Sequence, residues 1–188
     1  MQSIFIKKEM AYKGKELSPH WIYRNFNIIG DAIVSFLGEC EVKLDDMVDI
    51  SDVISNSPIY SRKMLHFIVE SFNIELIEGI LRQRLLVNIA RDEICACLPN
   101  SVNISRHGDD LFYNDSKLSV SIATKSQTSV LIHLGINIDA EGAPVKACGL
   151  TSELKIENIE KIADNIMKKY VAECEEIIRA SCKVRGVL

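Results

Sequence analysis

The stretch RHGDDLFYNDSKLSVSIATKSQTSVLIHLGIN, residues 106–137, decides the fold class. Its β-branched and aromatic residues are interrupted by Gly-Asp-Asp, Asn-Asp-Ser and Ser-Gln-Thr-Ser, the residue types that make turns. The spacing predicts a three-stranded antiparallel meander. Side chains alternate faces along a strand, so Lys117, Ser119 and Ser121 fall on one face of residues 117–124, with Leu118, Val120 and Ile122 on the other. On residues 130–138, Leu131, His133, Gly135 and Asn137 share a face opposite Val130, Ile132, Leu134, Ile136 and Ile138. With the turn centred near Gln127, Lys117 falls opposite Asn137, and Ser121 opposite His133. Opposed residues of an antiparallel pair point to the same side. One face is then apolar, and the other gathers Lys117, Ser119, Ser121, His133 and Asn137 around Gly135, whose missing side chain leaves room for a ligand.

Working outward, a helix is expected from Asn73, as cap, to about Leu98, with Glu75 and Glu78 near its positive end. Ile77, Leu81, Leu85, Ile89 and Ile94 form its expected apolar face, and Pro99 stops it. Ser18-Pro19 opens a short helix over residues 20–26. Residues 30–36 and 64–72 read as strands. The acidic stretch 39–63, with Asp45, Asp46, Asp49 and Asp52, reads as loop with one helical turn. An irregular connection spans 142–149. A final amphipathic helix covers 156–182, its face carried by Ile159, Ile162, Ile166, Tyr170, Cys174, Ile177 and Ile178. No repeat, low-complexity tract or linker divides the 188 residues, so the expectation is a single domain over 1–188. Its class is α+β, helices packed on a largely antiparallel sheet.

Composition narrows the partners. Apolar residues at 47% and charged residues at 26% suit a globular chain that buries a full core. A net charge of −4 with scattered basic residues argues against binding nucleic acid through its phosphates. No apolar run approaches the roughly 20 residues that span a bilayer, so no membrane partner is expected. The N-terminus lacks a signal-peptide core. The six cysteines, Cys40, Cys95, Cys97, Cys148, Cys174 and Cys182, show neither Cys-x-x-Cys nor zinc-like spacing. The four histidines (His20, His66, His107, His133) lie far apart, so no metal ligands are assigned. A cytoplasmic, reduced, metal-free protein is expected.

Each candidate site residue has a plainer role beside its chemical one. Lys117 can hold a carboxylate or phosphate oxygen as a point charge and stabilise charge on an attacked carbonyl; its plainer role is a protective lysine at a sheet edge. His133 is a candidate general base, or a hydrogen-bonded structural histidine. Asn137 can orient a ligand amide or carboxyl, or end its strand. Asp109 and Asp110 can pair with Lys117, or serve the turn after Gly108. Ser119, Ser121 and Gly135 line the same expected pocket. Cys148, beside Lys146, is a candidate nucleophile, set against the packing role of five other cysteines. Arg84, mid-helix, can reach a pocket or face solvent. His66 and Glu70 share a strand face that can line the same cavity.

Asp110-Leu-Phe-Tyr, then Lys117-Leu, then Gly135-Ile-Asn137 resembles the core of the biotin and lipoate protein ligases, with their Asn-Asp-Leu-Tyr strand, Lys-Leu/Ile-Ala-Gly strand and Gly-x-Asn. The resemblance implies the fold of class II aminoacyl-tRNA synthetase catalytic domains, and makes Lys117 the lysine that contacts the carboxyl and anhydride phosphate of an acyl-adenylate. The related octanoyltransferases have a lysine strand, then His and Asn, then a Cys-Gly whose thiol carries the acyl group; Lys117, His133, Asn137 and Cys148-Gly149 stand at the similar positions. Over nearly its whole length, including GDDL, KLSVSIAT and KVRG, the chain also resembles the uncharacterised domain-of-unknown-function family 366. There are departures from the ligase pattern. Val120 stands where the ligases have glycine, Asp109 replaces the asparagine, and a Gly-Arg-Gly-x-x-Gly loop is missing from the acidic region 45–63, which repels phosphates unless a cation intervenes.

The leading expectation is a pocket for a small carboxylate or its acyl derivative, used in acyl activation or transfer. Lys117 would clamp, His133 act as base, and Asp110 and Asn137 orient. An adenylating ligase would need ATP and Mg²⁺, and a thioester transferase would need Cys148 and an acyl carrier. The alternative is a non-catalytic member of the fold that binds a metabolite or a partner protein. The open sheet edge is a natural homodimer surface.

Overall fold

Ile59–Phe72 and Ser129–Asp139 hold long apolar runs, and the fold places them side by side at the centre of a sheet buried on both faces. The computed structural model describes residues 1–187. In chain order the elements are β1 (Gln2–Ile6), α1 (Trp21–Phe26), β2 (Ala32–Val42), α2 (Ile50–Ile54), β3 (Ile59–Phe72), α3 (Leu76–Cys95), β4 (Ile104–His107), β5 (Asp110–Tyr113), β6 (Ser116–Lys117), β7 (Ser119–Lys125), β8 (Ser129–Asp139) and α4 (Ile159–Cys182). The main sheet has the order β1-β2-β3-β8-β7, and β4-β5-β6 form a second, small sheet. Among the described strands, β1 alone runs parallel to its neighbour, β2.

Each face of the main sheet has its own cover. Leu65, Phe67, Ile132, Leu134 and Ile136 pack with Leu86, Ala90 and Ile94 of α3 and Ile162, Ile166 and Tyr170 of α4. Phe36, Met64, Ile68 and Leu131 pack on the other face with Tyr12, Leu17 and Ile22. The alternation expected along residues 130–138 is therefore present, with His133 and Asn137 on the second face.

Three expectations are corrected. The strand expected at 30–36 runs on to Val42, because Glu39 and Glu41 point outward while Cys40 and Val42 are buried; the acidic composition hid a period of two. Helix α3 buries only the C-terminal part of the expected stripe: Ile89 and Ile94 are buried and Leu85 packs against the core, but Ile77 and Leu81 are exposed, whereas Arg82 and Gln83 are buried. Gly79 sets that rotation, since a Cβ there would come within 2.3 Å of Val130 Cγ1. Finally, β7 and β8 pair one residue out of the expected register, with Val120 opposite Gly135, Ser121 opposite Leu134 and Ile122 opposite His133. A one-residue slip exchanges faces, so Ser119 and Ser121 lie on the α3 side, and Val120 and Ile122 share the His133 side.

Gly38 holds the second face together. β2 bulges between Gly38 and Cys40, and the incoming chain lies directly over it: a Cβ on Gly38 would meet Met10 O at 1.8 Å. Gly38→Ala is therefore expected to cost about 2 kcal/mol through backbone displacement. Denaturant melts of the variant check this, and an unchanged midpoint would contradict the close approach.

Candidate functional site

The site lies where the two sheets meet, at Leu118. The Leu118 N–H donates to Leu111 O at 2.8 Å, while its carbonyl accepts from Asn137 N at 2.9 Å, so one residue bonds both sheets. Just before it, Lys117 N donates to Lys146 O and Lys117 O accepts from Cys148 N. These bonds fix the Lys117 backbone from both sides. The break at Leu118 also resets the alternation, so the Lys117 side chain reaches the same cavity as Val120, Ile122 and His133.

That cavity measures about 160 Å³ and opens under the 43–58 segment and α2. A second, of about 170 Å³, adjoins it at Asp52, Ile59, Lys117 and Val120, and reaches Asn137. Among the described residues, Lys117 is the one cationic side chain lining either of them. Its Nζ is 2.8 Å from Asp110 Oδ2, both groups being partly shielded from water. Burial pushes the Asp110 carboxyl up from its usual range, and the Lys117 charge opposes that rise. The acidic lining continues with Asp46, Asp49, Asp52 and Asp109. Asp49 is occupied in capping α2, accepting from Ser51 N and Asp52 N. Asp109 is held by Gln83 Nε2 at 2.9 Å and pairs with Arg84 at 3.0 Å.

His133 is almost wholly buried, with an edge on the cavity. Its Nε2 lies 3.1 Å from His66 Nδ1, and His66 Nε2 lies 3.3 Å from Gly38 O. The Tyr12 ring stacks on His133 at 3.7 Å between centroids. Burial drives the His66 pKa down to about 3, and lowers His133 well below the usual histidine range, with the neighbouring His66 adding to the effect. Both imidazoles are therefore neutral. A base of such low basicity is a weak proton acceptor, so the structure favours a hydrogen-bonding role for His133. Burial likewise keeps the Tyr12 phenol protonated.

The remaining candidates divide. Asn137 is buried beside Lys117, its Nδ2 donating to Lys117 O at 3.2 Å while its Oδ1 has no partner among the described residues. Ser121 lines the cavity edge, donating to Asp109 O and accepting from Gln83. Ser119 leaves the site: its buried Oγ accepts from Leu111 N and ties β5 to β7. Nor does Gly135 open into it, because Met64 Sδ, His133 Cε1 and Val120 Cγ2 already fill the space a Cβ would take. Cys148 is buried and lines neither cavity; its Sγ faces Ser116 O and Lys117 O, and burial raises its pKa to about 11. A thiol so protonated is a poor nucleophile. His66 serves the histidine pair, while Glu70 lies in a separate hollow with Phe72 and Tyr23 and accepts from His20 N and Ser129 Oγ. Sequence reasoning missed Tyr12, which no motif marks. It left Gln83 without a role and gave Arg84 only an unspecified reach into a pocket; neither was linked to Asp109.

Fold and cavity together define an α+β protein with the class II synthetase-like architecture of the biotin and lipoate protein ligases. A biotin protein ligase from Aquifex aeolicus, in complex with biotin and ATP, superposes with a TM-score of 0.60 at 14% identity, over 93% of this chain and 71% of that one. A proposed lipoate protein ligase from T. acidophilum, with bound lipoic acid, gives 0.60 at 11% identity, over 93% and 86%. At such identities the likeness is one of fold. The chain belongs to the family described as a domain of unknown function (DUF366), which matches residues 1–185. It is 40% identical over 185 residues to an uncharacterised protein of Methanocaldococcus jannaschii, covering 95% of this chain and 82% of that protein. A protein of unknown function from Pyrococcus horikoshi has a TM-score of 0.91 at 37% identity, with both chains wholly covered. No helix among the described residues is long and apolar enough to cross a membrane.

Proposed function

We propose that the chain binds a small carboxylate or its acyl derivative, with Lys117 as the clamp. The observation that carries this reading is the single ammonium at the junction of two adjoining cavities, its backbone fixed and its side chain partly shielded from water. A lysine ammonium has three donors, and Asp110 takes one. Partial burial strengthens the attraction of the remaining two for a ligand oxygen.

ATP fits these residues poorly. A triphosphate would meet Asp46, Asp49, Asp52 and Asp110 against one lysine, Asp109 being paired with Arg84, and among the described residues no group of three or more His, Cys, Asp and Glu side chains is placed to hold a metal ion. With Cys148 sealed as well, binding leads over catalysis. Acyl activation or transfer is the second reading, favoured by the Asp110–Lys117 pair standing at the positions that resemble the ligases.

The test is calorimetric titration of a panel of carboxylic acids, with ATP–pyrophosphate exchange run in parallel. Binding of at least one acid without exchange is expected. Exchange that disappears in Lys117→Ala would overturn the binding reading in favour of adenylation. A panel with no binder would remove the carboxylate.

A further inference from the structure

We infer that the ligand of the Lys117 cavity carries an ammonium or other N–H donor as well as a carboxylate, so that the class is an amino-carboxylate and not a plain fatty acid. The inference rests on the proposed carboxylate reading and specifies the other end of the molecule. It starts from a chain of hydrogen bonds whose direction is forced. Gly38 O can only accept, so His66 Nε2 carries a proton and donates to it. A neutral His66 then has a bare Nδ1, which accepts from His133 Nε2. The neutral His133 is left with a bare Nδ1, an acceptor, and this nitrogen has no hydrogen-bond partner among the described residues. His133 lines the cavity and is 3% exposed. This nitrogen is not among the fully buried unpartnered atoms, so it is open to the cavity, where it offers a ligand N–H a free acceptor.

Two further observations have the same sign. On the far side of Lys117, Asn137 spends its amide N–H on Lys117 O, leaving Oδ1 buried and unpartnered at the second cavity. The walls add a field: with Asp109 paired to Arg84 and Asp110 to Lys117, the carboxylates of Asp46, Asp49 and Asp52 leave the lining net negative. Such a lining concentrates cations. Tyr12 and Ser121 do not alter this polarity, since a hydroxyl serves as donor or acceptor and Ser121 already donates to Asp109 O. His133 and Asn137 stand four residues apart on one face of β8, a span of about 13 Å at the usual strand rise. An extended molecule with its carboxylate at Lys117 therefore brings its other end towards His133 and Tyr12.

Titration with hexanoate and 6-aminohexanoate separates the two ideas, because the pair differ only in the terminal amine. 6-Aminohexanoate is expected to bind at least tenfold more tightly, and the difference is expected to shrink severalfold in His133→Phe. Asp52→Asn, at a partly exposed carboxylate, is expected to reduce it also and guards against misfolding of the buried variant. Long-range ¹⁵N–¹H spectra of the unliganded protein should show His133 with Nε2 protonated and Nδ1 bare. Equal or weaker binding of the amino acid, or a preference untouched by both variants, overturns the inference and leaves the carboxylate site standing. A proton on Nδ1 of His133 overturns it as well. If neither acid binds, the carboxylate reading fails and takes this one with it.

Discussion

Lowering the pH from 7 to 4 is expected to remove about 3 kcal/mol of stability through His66 alone. Burial holds its pKa at about 3 in the folded protein, while an unfolded histidine titrates near 6.5. The folded-state value is depressed, so between these limits the unfolded chain binds the proton and the folded chain does not. The stability is fully present above about pH 6.5 and drains away as pH falls towards 3. His133 acts in the same direction. A proton on His66 Nδ1 would also set donor against donor, since His133 Nε2 already presents a hydrogen there. Other groups occupy other windows. The Lys169 partner holds the Glu93 carboxyl below its usual range, so its contribution is lost at the acid end of the profile, as pH falls below the usual carboxylate range. The raised Asp110 carboxyl slightly opposes the loss. Denaturant midpoints measured from pH 7 to pH 4 check the slope, and a flat profile between pH 6.5 and 5 would contradict a neutral, enclosed histidine pair.

Lys117→Ala is expected to weaken binding of the carboxylate ligand about a hundredfold, roughly 2.7 kcal/mol. The variant loses the one ammonium of the cavity and leaves Asp110 uncompensated among Asp52 and Asp109. Folding should survive, because the Lys117 backbone amide and carbonyl keep their bonds to Lys146 O, Cys148 N and Asn137 Nδ2. The side chain is about one-third exposed, so its removal opens no sealed core. Asp110, freed of its partner, should take up a proton more readily, and some affinity should return at low pH in the variant. Calorimetry of wild type and variant at pH 7 decides: equal affinity would move the ligand away from Lys117.

Much of this architecture is written locally in the chain. The alternation along Leu131–Ile138 foretold which side chains would face each way, and the apolar spacing of Ile159, Ile162, Ile166 and Tyr170 marked the buried face of α4. The β7–β8 pairing failed by a single residue because Ser126 closes the turn with its side chain, accepting from Thr128 N and Ser129 N, and moves the centre half a residue past Gln127. So small an offset was enough to take Ser119 out of the site. Asn73 misled in a similar way: it adopts a left-handed φ of 58°, and the helix starts after Glu75 instead. Ile77 and Leu81 suggested a helix face that tertiary packing rejected at Gly79. The histidine pair joins residues 67 apart, and Tyr12 comes from a segment with no motif. Only the fold brings them together, so no local pattern announces them.

On the proposed reading, a small carboxylate sits on Lys117 between the adjoining cavities. A crystal structure with the tightest-binding acid of the panel tests it most directly. Carboxylate density is expected within hydrogen-bond distance of Lys117 Nζ, with the rest of the molecule lying towards His133 and Tyr12. A ligand seated elsewhere, for example in the hollow beside Glu70 and Phe72, would contradict it.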